Sequence, residues 1–293
     1  MQFAVKPGKY VVAVSGGVDS MVLLDLLRRQ PDVSLVVAHF DHGIRDDSVR
    51  DRKLVEEAAV RYGLPCISEQ GHLGSGTSEA AARTARYAFL RRVKETQGAD
   101  AIITAHHQDD VLETAILNML RGTGRKGLAS LRSVQDLVRP LLHVSKDEIR
   151  AYAAEHKIRW HEDTTNSDDA YLRNYIRHRL MPRLGETGKA QLLEHVEAAA
   201  ALNLDIDELL LRDLQAQPSP SIVNRYWFIM LPYDVSGEAM AAWLRLNGIT
   251  QFDRRTIERL VIAAKVAAPG KEIDVNAAYL LKVSKKELRL LPR

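Results

Sequence analysis

The first half of the chain alternates short apolar runs with longer amphipathic stretches. Apolar runs lie at residues 10–14, 35–38, 65–68 and 101–105, and helical periodicity covers residues 18–29, 48–62, 78–94 and 109–120. Strands that are apolar on both faces and separated by helices indicate βαβ units in a parallel sheet. We therefore expect an α/β fold with a doubly wound parallel sheet, and a ligand crevice at the carboxyl ends of its strands.

The pattern changes beyond residue 140. Ser145 opens a predicted helix that reaches about residue 156, with Asp147 and Glu148 in its first turn, where the helix dipole favours acids. An Ala/Leu-rich segment at residues 189–214 predicts a connecting helix, and Gln-Pro-Ser-Pro-Ser at 217–221 marks a linker. We expect a catalytic domain over residues 1–185, a connecting helix and linker over 186–220, and a smaller C-terminal α/β domain over 221–293.

Composition narrows the class of protein. Hydrophobic residues make up 46% and charged residues 27%, as in ordinary soluble proteins. The chain has no run of 18 uncharged apolar residues, and its first residues lack the apolar core of a secretory signal, which favours the cytoplasm. Cys66 is the single cysteine, so a disulfide framework and a multi-cysteine zinc or iron–sulfur site are excluded.

Charge is unevenly distributed although the net charge is only +3. Residues 244–293 hold eleven Lys/Arg against five Asp/Glu. Two further basic clusters contain no acid: one is Arg121, Arg125, Lys126 and Arg132, and the other is Arg173, Arg177, Arg179 and Arg183. Each cluster alone is equally well explained as a solvated face. Three in one chain favour a polyanionic partner, and RNA is the natural candidate.

A glycine-rich loop separates the first strand from the first helix. It comprises Ser15, Gly16, Gly17, Val18, Asp19 and Ser20. Adjacent glycines let the backbone approach a ligand closely, and the following helix directs N–H groups and its positive dipole end at the same spot, which favours phosphate. Asp19 would repel phosphate and suits a site in which Mg²⁺ mediates. The ending of a Walker A loop, Gly-Lys-Ser/Thr, is absent.

The alternative interpretation of this loop is a purely structural strand-to-helix turn capped by Ser or Asp. The full hexapeptide in a strand-loop-helix context instead resembles the pyrophosphate-binding loop of the ATP-pyrophosphatase, or PP-loop, superfamily. The resemblance implies that ATP is cleaved between its α and β phosphates and that ATP and Mg²⁺ are needed. The thiolases and amidotransferases of this superfamily rely on reactive cysteines, and Cys66, in an apolar strand, is better explained as a structural thiol.

Further motifs follow in a characteristic order. They are His39-Phe40-Asp41-His42-Gly43-Ile44-Arg45, Ala82-Arg83 with Ala85-Arg86-Tyr87, Ala105-His106-His107-Gln108-Asp109-Asp110 continuing to Glu113-Thr114, Arg121-Gly122-Thr123-Gly124, Arg139-Pro140-Leu141-Leu142, and the pattern from Trp160 through Asp163, Thr165, Asn166, Asp168 and Tyr171 to Arg173-Asn174 and Arg177. Over about residues 10–183 this series resembles the tRNA(Ile)-lysidine synthetases. Asp41 stands where that family usually has Asn, and the resemblance is much weaker in the C-terminal domain.

The resemblance implies a two-step ligation. ATP adenylates the ring oxygen of the first anticodon cytidine of tRNA(Ile) with a CAU anticodon, releasing pyrophosphate. Free L-lysine then attacks the adjacent ring carbon and expels AMP, which gives lysidine and switches codon reading from AUG to AUA. Activation turns a poor oxygen leaving group into a good one. The C-terminal domain is then expected to contact tRNA, and a homodimer is a reasonable expectation.

Candidate roles follow from residue chemistry together with the resemblance. Residues 15–20 would hold pyrophosphate, with Asp19 toward Mg²⁺. Asp110 and Glu113 are three apart on one helix, so both carboxylates face the same way, and the resemblance makes them the acids that recognise lysine. Asp110 is also a candidate to deprotonate the attacking amine. Arg86 and Arg177 are candidates for contacts to the activated intermediate or to tRNA phosphate.

Four alternatives stay open. Asp110 and Glu113 are also compatible with a solvent-exposed helix face. The adjacent histidines at 106–107 suggest a metal site, but the sequence shows no obvious third ligand. A second functional hypothesis is an activating ligase that never contacts RNA. The basic C-terminal segment argues against it. A catalytically inactive RNA-binding protein on the same scaffold is disfavoured by the intact loop and the carboxylate pair.

Overall fold

The computed structural model describes residues 3–43, 48–71, 74, 77–162 and 172–293. The chain divides into two compact units, Met1–Ala199 and Ala200–Arg293, and each unit has its own hydrophobic core. Within the described ranges, no helix has both the length and the apolar character needed to span a bilayer. The division falls inside a long helix, and the domain boundaries at residues 185 and 220 stay predictions.

Five parallel strands and the helices between them form the N-terminal unit. The strands are β1 (Gly8–Ala13), β2 (Val33–Asp41), β3 (Cys66–Gln70), β4 (Ala101–Ile103) and β5 (Leu137–Val138). The helices are α1 (Val18–Leu27), α2 (Ser48–Tyr62), α3 (Glu79–Gln97), α4 (Gln108–Leu120), α5 (Arg125–Leu128) and α6 (Lys146–Glu155). The sheet order is β3-β2-β1-β4-β5, so the topology reverses between β1 and β4, where ligands bind in open α/β sheets.

The central strands are buried on both faces, which explains their continuous apolar sequence. Val11 and Val12 in β1 point to opposite faces and are both 0% exposed. Val12 packs in a core with Leu23 of α1 and Ile149 of α6. Val11 packs on the other face with Leu90 of α3. Helices therefore cover both faces and fix the direction of the loops that leave the strands.

A continuous helical segment closes the N-terminal unit. It runs from α7 (Leu172–Tyr175) through a π-helical turn, Ile176–Leu180, into α8 (Met181–Gln215), which changes direction at Gly185, where φ is 59°. Ile176 is fully buried and packs with Leu112 of α4. This contact fixes the π-helical turn against α4. Such turns are frequent at functional sites.

The C-terminal unit is a small antiparallel sheet with helices. Its strands are β6 (Ile222–Asn224), β7 (Glu272–Asp274), β8 (Tyr279–Val283) and β9 (Glu287–Pro292), in the order β6-β9-β8-β7. Its helices are α9 (Arg225–Met230), α10 (Tyr233–Leu246) and α11 (Arg254–Val266). Trp243 lies at the centre of the core, 1% exposed. Buried Arg225 donates to carbonyl oxygens of Ala264, Ser284 and Ala267 and ties α9 to α11 and the sheet.

The predicted fold class is confirmed. All four strands expected in the first half are present, and the predicted helix at residues 48–62 has the bounds Ser48–Tyr62. The two-residue strand β5 was not predicted, because so short a run carries no periodicity. The helical run Met181–Gln215 is interrupted at Gly185, where the backbone is not helical, and the predicted connecting helix at residues 189–214 lies within the part after this break. The polar segment at residues 163–169 lies outside the described residues.

Candidate active site

The loop after β1 is folded by its own serines. Ser20 Oγ accepts a hydrogen bond from Ser15 N at 3.1 Å and donates to Gly17 O at 2.9 Å. Ser15 Oγ accepts from Gly17 N at 3.3 Å. These bonds place the first turn of α1, beginning at Val18, at the carboxyl end of β1. The first N–H groups of a helix lack partners inside it, so the loop presents donors suited to a phosphate oxyanion.

Gly16 has a backbone conformation in this loop that favours glycine. Its φ is 94°, in the region that favours glycine. His161 N donates to Gly16 O at 3.0 Å, and a Cβ at Gly16 would lie 3.3 Å from Asp51 Cβ. His161 Nδ1 and Asp51 Oδ1 are themselves 2.9 Å apart. The loop is thus packed against α2 and the segment after α6, with little space for a side chain at Gly16.

Asp19 is paired with a lysine that the sequence pattern did not single out. Lys146 Nζ donates to both carboxylate oxygens of Asp19, at 2.6 and 2.7 Å. Lys146 is the first residue of α6, directly after the capping residue Ser145, whose Oγ accepts from Glu148 N. The side chains of Asp19 and Lys146 are 27% and 28% exposed. The ion pair therefore stays accessible to a ligand at the mouth of the loop.

His107 connects the loops that follow β1 and β4. It is the N-cap residue of α4 and is 6% exposed. Its Nε2 lies 3.8 Å from Asp19 Oδ1 and 3.6 Å from Asp110 Oδ2. Asp110 also accepts a hydrogen bond from the backbone N–H of His107 at 3.0 Å. One imidazole thus lies between the carboxylate of the glycine-rich loop and the first acid of the predicted pair.

Asp110 and Glu113 lie on one side of α4 and share two arginines. Arg177 makes a two-point contact with Glu113, Nε to Oε1 at 2.6 Å and Nη2 to Oε2 at 2.8 Å, and Arg173 Nε donates to Glu113 Oε2 at 3.2 Å. Both guanidinium groups also approach Asp110 Oδ1, at 3.6 and 3.8 Å. The Glu113 side chain is 2% exposed and that of Asp110 15%. Glu113 is enclosed by arginines, whereas Asp110 is partly open.

The surroundings fix the charges of this cluster. Burial raises the pKa of Asp110, but His107, His106 and Arg173 together hold it below its ordinary value. Burial lowers the pKa of Arg177, but Glu113 outweighs burial and leaves it raised. Burial also lowers the pKa of His106 to about 3. At neutral pH, Asp110 is therefore a carboxylate, Arg177 is a cation and His106 is a neutral imidazole.

Arg86 lies on α3, outside the carboxylate cluster. Its guanidinium carbon is 5.4 Å from the centre of the Tyr87 ring, and that of Arg83 is 4.9 Å from the same ring. Both arginines contribute to lowering the pKa of His106, so their charges act on the region after β4. The structure thus brings together residues 15–20, Asp110, Glu113 and Arg177, and it places Arg86 within electrostatic range of that group.

The remaining predicted positions have mainly structural contacts. His39 is buried and its Nδ1 donates to Val14 O at 2.9 Å, directly before the loop. Asp41, at the position of the family's usual Asn, accepts from Gly43 N at 2.8 Å and caps the end of β2. Burial raises the pKa of the Cys66 thiol, consistent with a structural role. Within the described residues, no three His, Cys, Asp or Glu side chains are grouped to hold a metal ion.

Two contributors were not selected from the sequence. Arg173 belongs to a basic cluster and to a motif in the sequence but was assigned no role in the site, although it lies four positions, about one helical turn, before Arg177. Lys146 carries no local signal, because its partner lies 127 residues away. Ile44 and Arg45, together with positions 163–171, lie outside the described part of the chain.

Comparison with known proteins places these features in context. The PP-loop domain family (ATP_bind_3) matches residues 2–184. A protein named tRNA(Ile)-lysidine synthase from Lactiplantibacillus plantarum is 33% identical over 313 residues, covering 97% of this chain and 69% of its own length. Another of that name from Thermotoga sp. (strain RQ2) is 40% identical over 190 residues, covering 61% of this chain and 46% of its own length.

A solved structure shares the fold. It is described as U34-tRNA thiolase NcsA from Methanococcus maripaludis with its [4Fe-4S] cluster, and it covers 66% of this chain and 73% of its own, with a TM-score of 0.55 and 17% sequence identity. At that identity the likeness concerns the fold alone. The chain spans about half the length of several curated relatives it matches.

Gly16→Ala tests the geometry of the loop after β1. The added methyl group strains a backbone with φ of 94° and approaches Asp51, so we expect a stability loss of about 1–2 kcal/mol and at least about tenfold weaker ATP binding. Gly63→Ala is the matched control, because φ is 66° there and no atom lies within 4 Å of the added Cβ. Urea unfolding and calorimetric ATP titration of both variants distinguish them. Unchanged ATP affinity in Gly16→Ala would contradict this account of the loop.

His106→Asn tests the buried neutral imidazole. The pKa of His106 is lowered in the fold to about 3, so its contribution to stability is present above the unfolded pKa near 6.5 and is lost as pH falls toward 3. Between pH 7 and pH 5 the native chain should lose about 2 kcal/mol through this group, and the variant should lose much less. Urea unfolding at the two pH values measures the difference. An equal loss in both proteins would rule out the buried neutral state.

Proposed function

The chain belongs to the PP-loop domain family and, within it, to the tRNA(Ile)-lysidine synthases, and on this basis we propose that it joins L-lysine to the first anticodon cytidine of tRNA(Ile). The PP-loop domain implies that the protein uses ATP. The proposed products are lysidine, AMP and pyrophosphate. A cytoplasmic location and a homodimer stay predictions.

One observation carries the proposal: a single imidazole lies between the glycine-rich loop and the acidic pair. His107 Nε2 is within 3.8 Å of Asp19 and 3.6 Å of Asp110. A nucleotide held by residues 15–20 and an amine held by Asp110 would therefore meet in one crevice. Two successive reactions on one activated base require that proximity, because the second nucleophile must reach the adenylated ring before water does.

The first step needs charge stabilisation on phosphate. The carbonyl oxygen on the cytosine ring attacks the α-phosphorus of ATP, a P–O bond forms, and the bond to the β-phosphate breaks to release pyrophosphate. The backbone N–H groups around Gly17 and the start of α1 provide donors to the leaving pyrophosphate. Lys146 Nζ donates to Asp19 at 2.6 Å. We propose that it also contacts the negatively charged phosphates of bound ATP.

Mg²⁺ fits this site in the manner usual for nucleotide enzymes. Mg²⁺ is commonly bound through one or two carboxylates together with substrate phosphates and water, and Asp19 is a partly exposed carboxylate at the mouth of the loop. Asp19 would hold the ion, which would supply charge neutralisation of the phosphate oxygens. Asp19 then shares its charge between the ion and Lys146.

The second step needs a bound amine. The side-chain nitrogen of lysine attacks the ring carbon, the carbon–oxygen bond to AMP breaks, and the nitrogen loses a proton. Asp110 is the partly open carboxylate of the pair and is suited to hold the ammonium group. Its lowered pKa makes it a weak base, so the geometry favours binding of lysine over deprotonation as its main role.

Glu113 has a different position from that of Asp110. Its two oxygens are occupied by Arg177 and Arg173, and its side chain is 2% exposed. We propose that Glu113 positions the arginines and reaches lysine only if one guanidinium group moves. Arg177 and Arg86 remain proposed contacts to the intermediate or to tRNA phosphate, since a guanidinium group binds phosphate with two parallel hydrogen bonds.

Release of AMP tests the proposed reaction. The full chain is incubated with labelled ATP, with and without lysine and bulk tRNA. Formation of free AMP that depends on both lysine and tRNA supports the proposal. Formation of AMP without tRNA indicates an activating ligase that does not use RNA. Absence of AMP under all conditions indicates a binding protein without this activity.

Variants of the three acids test the division of roles. Asp19→Ala should abolish AMP formation, because the carboxylate that would hold Mg²⁺, and through it the phosphates, is lost. Asp110→Ala and Glu113→Ala should lower lysine transfer by about 100-fold or more and reduce adenylation much less. Asp109→Ala, one position away on α4, is the control and should keep both steps. Separate measurement of AMP-tRNA formation and lysine incorporation gives the answer; equal loss of adenylation in all three variants would refute the division.

Charge removal in the C-terminal unit tests its proposed contact with tRNA. Lys285→Gln combined with Lys286→Gln should weaken tRNA binding and flatten its dependence on salt, because fewer counterions are released from the RNA. Filter binding at several salt concentrations measures both quantities. Identical affinity and salt slope in the variant would assign tRNA recognition to other residues.

A further inference from the structure

A second pocket lies in the N-terminal unit, away from the candidate active site. It has a volume of about 210 Å³ and is lined by residues at the carboxyl-terminal ends of α1, α2 and α6. Helices that follow parallel strands run back along the sheet, so their ends lie at the edge opposite the carboxyl ends of the strands. The pocket is therefore at the other edge of the sheet from residues 15–20.

Positive charge dominates the lining of this pocket. The charged lining residues in the described part of the chain are Arg28, Arg29, Arg61, Lys157, Arg159 and one acid, Asp25. The Asp25 side chain is 3% exposed, and its oxygens accept from Arg28 Nε at 2.9 Å, Arg29 Nε at 3.0 Å and the Tyr152 hydroxyl at 3.0 Å. Asp25 thus joins α1 to α6 and pairs with Arg28 and Arg29, and the described pocket lining contains no second carboxylate for the other cations.

Three cations remain at the rim. Within the residues that the structure describes, Arg61 and Lys157 have no carboxylate or hydrogen-bond partner for their side chains. Arg159 has a loose contact with Glu57, 3.8 Å between Nη1 and Oε2, with both side chains more than half exposed. Such an exposed pair contributes little, so Arg159 is readily available to another anion.

Helix dipoles explain part of this charge but not all of it. Cations are favoured near helix carboxyl termini, each of which carries roughly −0.5 charge. Three such ends offset about −1.5, whereas the lining has five cationic side chains and one carboxylate. The pocket therefore keeps a substantial positive excess after its helix ends are neutralised.

The backbone at Lys157 is a second, independent observation. Lys157 has a φ of 51°, although it is not glycine. It follows the last turn of α6, where Lys157 N donates to Ala154 O and Ile158 N donates to Ala153 O. Glycine is the usual residue at this position of a helix end, because a side chain there is strained. Strained positions are frequent at functional sites, and here the strained residue carries one of the unpartnered cations of the pocket.

We propose that this pocket binds a phosphate group, with Arg61, Lys157 and Arg159 as its ligands. Guanidinium groups bind phosphate oxygens through parallel hydrogen bonds, and the lysine adds a mobile charge. The phosphate belongs either to free phosphate or to the backbone of a bound RNA; the chemistry of recognition is the same. This site does not depend on the proposed ligation reaction.

Backbone amide signals in NMR spectra of the full chain test the proposal. Inorganic phosphate is titrated at low ionic strength, with the amide of Ile158 reporting on this pocket and the amides of Gly16 and Gly17 reporting on the loop after β1. Saturable movement of the Ile158 signal is expected, with an affinity separate from that of the glycine signals. No saturable movement at Ile158 would overturn the proposal.

Lys157→Gly separates binding from structure, because the two effects have opposite directions. Loss of the strained side chain should raise the Tm by roughly 1–3 °C, while phosphate affinity at Ile158 should fall on the order of tenfold. Asp32→Gly is the matched control: Asp32 is exposed, has a φ of 60° and does not line the pocket, so it should raise the Tm and leave phosphate binding unchanged. Unchanged affinity in Lys157→Gly would overturn the proposal.

Arg61→Gln gives a second test on an exposed side chain that has no structural partner. It should weaken phosphate binding at Ile158 and leave the Tm unchanged, whereas unaltered binding would contradict the assignment of this ligand. Binding of tRNA to the same variants identifies the source of the phosphate: weakened tRNA binding assigns it to RNA, and unchanged tRNA binding assigns it to a free anion.

Discussion

The candidate active site depends on the pairing of three carboxylates with positively charged side chains at one edge of a parallel sheet. Asp19 arrives on the loop after β1, and Asp110 and Glu113 arrive on the helix after β4, because those two strands are neighbours at the reversal of the topology. Lys146, Arg173 and Arg177 bring the compensating charges from later parts of the chain. Removing the partner of a buried ion such as Glu113 costs about 3–5 kcal/mol, so the packing of Arg173 and Arg177 against α4 is linked to the integrity of the site.

This compensation also prepares the site for substrates. Lys146 and the two arginines are cations held in place before any anion arrives, and preorganised charges lose little free energy in reorienting during a reaction. Phosphates can share Lys146 with Asp19, and an ammonium group can share Asp110 with the arginines. His106, whose pKa is lowered by burial, adds no positive charge at neutral pH, and buried His39 donates to Val14 O just before the loop. Under the proposed function, the contacts that compensate these carboxylates are also the ones that substrates would exchange.

Much of this was predictable from the sequence, for physical reasons. Buried strands have a distinct apolar signature, so the sheet and its crevice followed from the pattern of residues. The loop at residues 15–20 combines glycines, serines and a helix start within six positions. A phosphate site formed by neighbouring residues of this kind can be predicted from the sequence. The spacing of Asp110 and Glu113 on one helix turn correctly placed both carboxylates on the same side of α4.

The sequence did not indicate which side chain pairs with each charged residue of the site. The contact between Lys146 and Asp19 joins positions 127 apart, and no local pattern specifies it. Enclosure of Glu113 depends on a π-helical turn whose position is set by the packing of Ile176 against α4. The strained backbone at Lys157 was equally hidden, because lysine is an ordinary residue in a helix and an unusual one only at the position just beyond its end.

We propose that both halves of the crevice act on one nucleotide of tRNA. Mass spectrometry of tRNA(Ile) after incubation with the full chain, ATP and L-lysine tests this proposal. We expect the mass of a lysyl group on the first anticodon nucleotide, formed only when ATP is present. Unmodified tRNA despite AMP release, or lysine attached to another nucleotide, would contradict it.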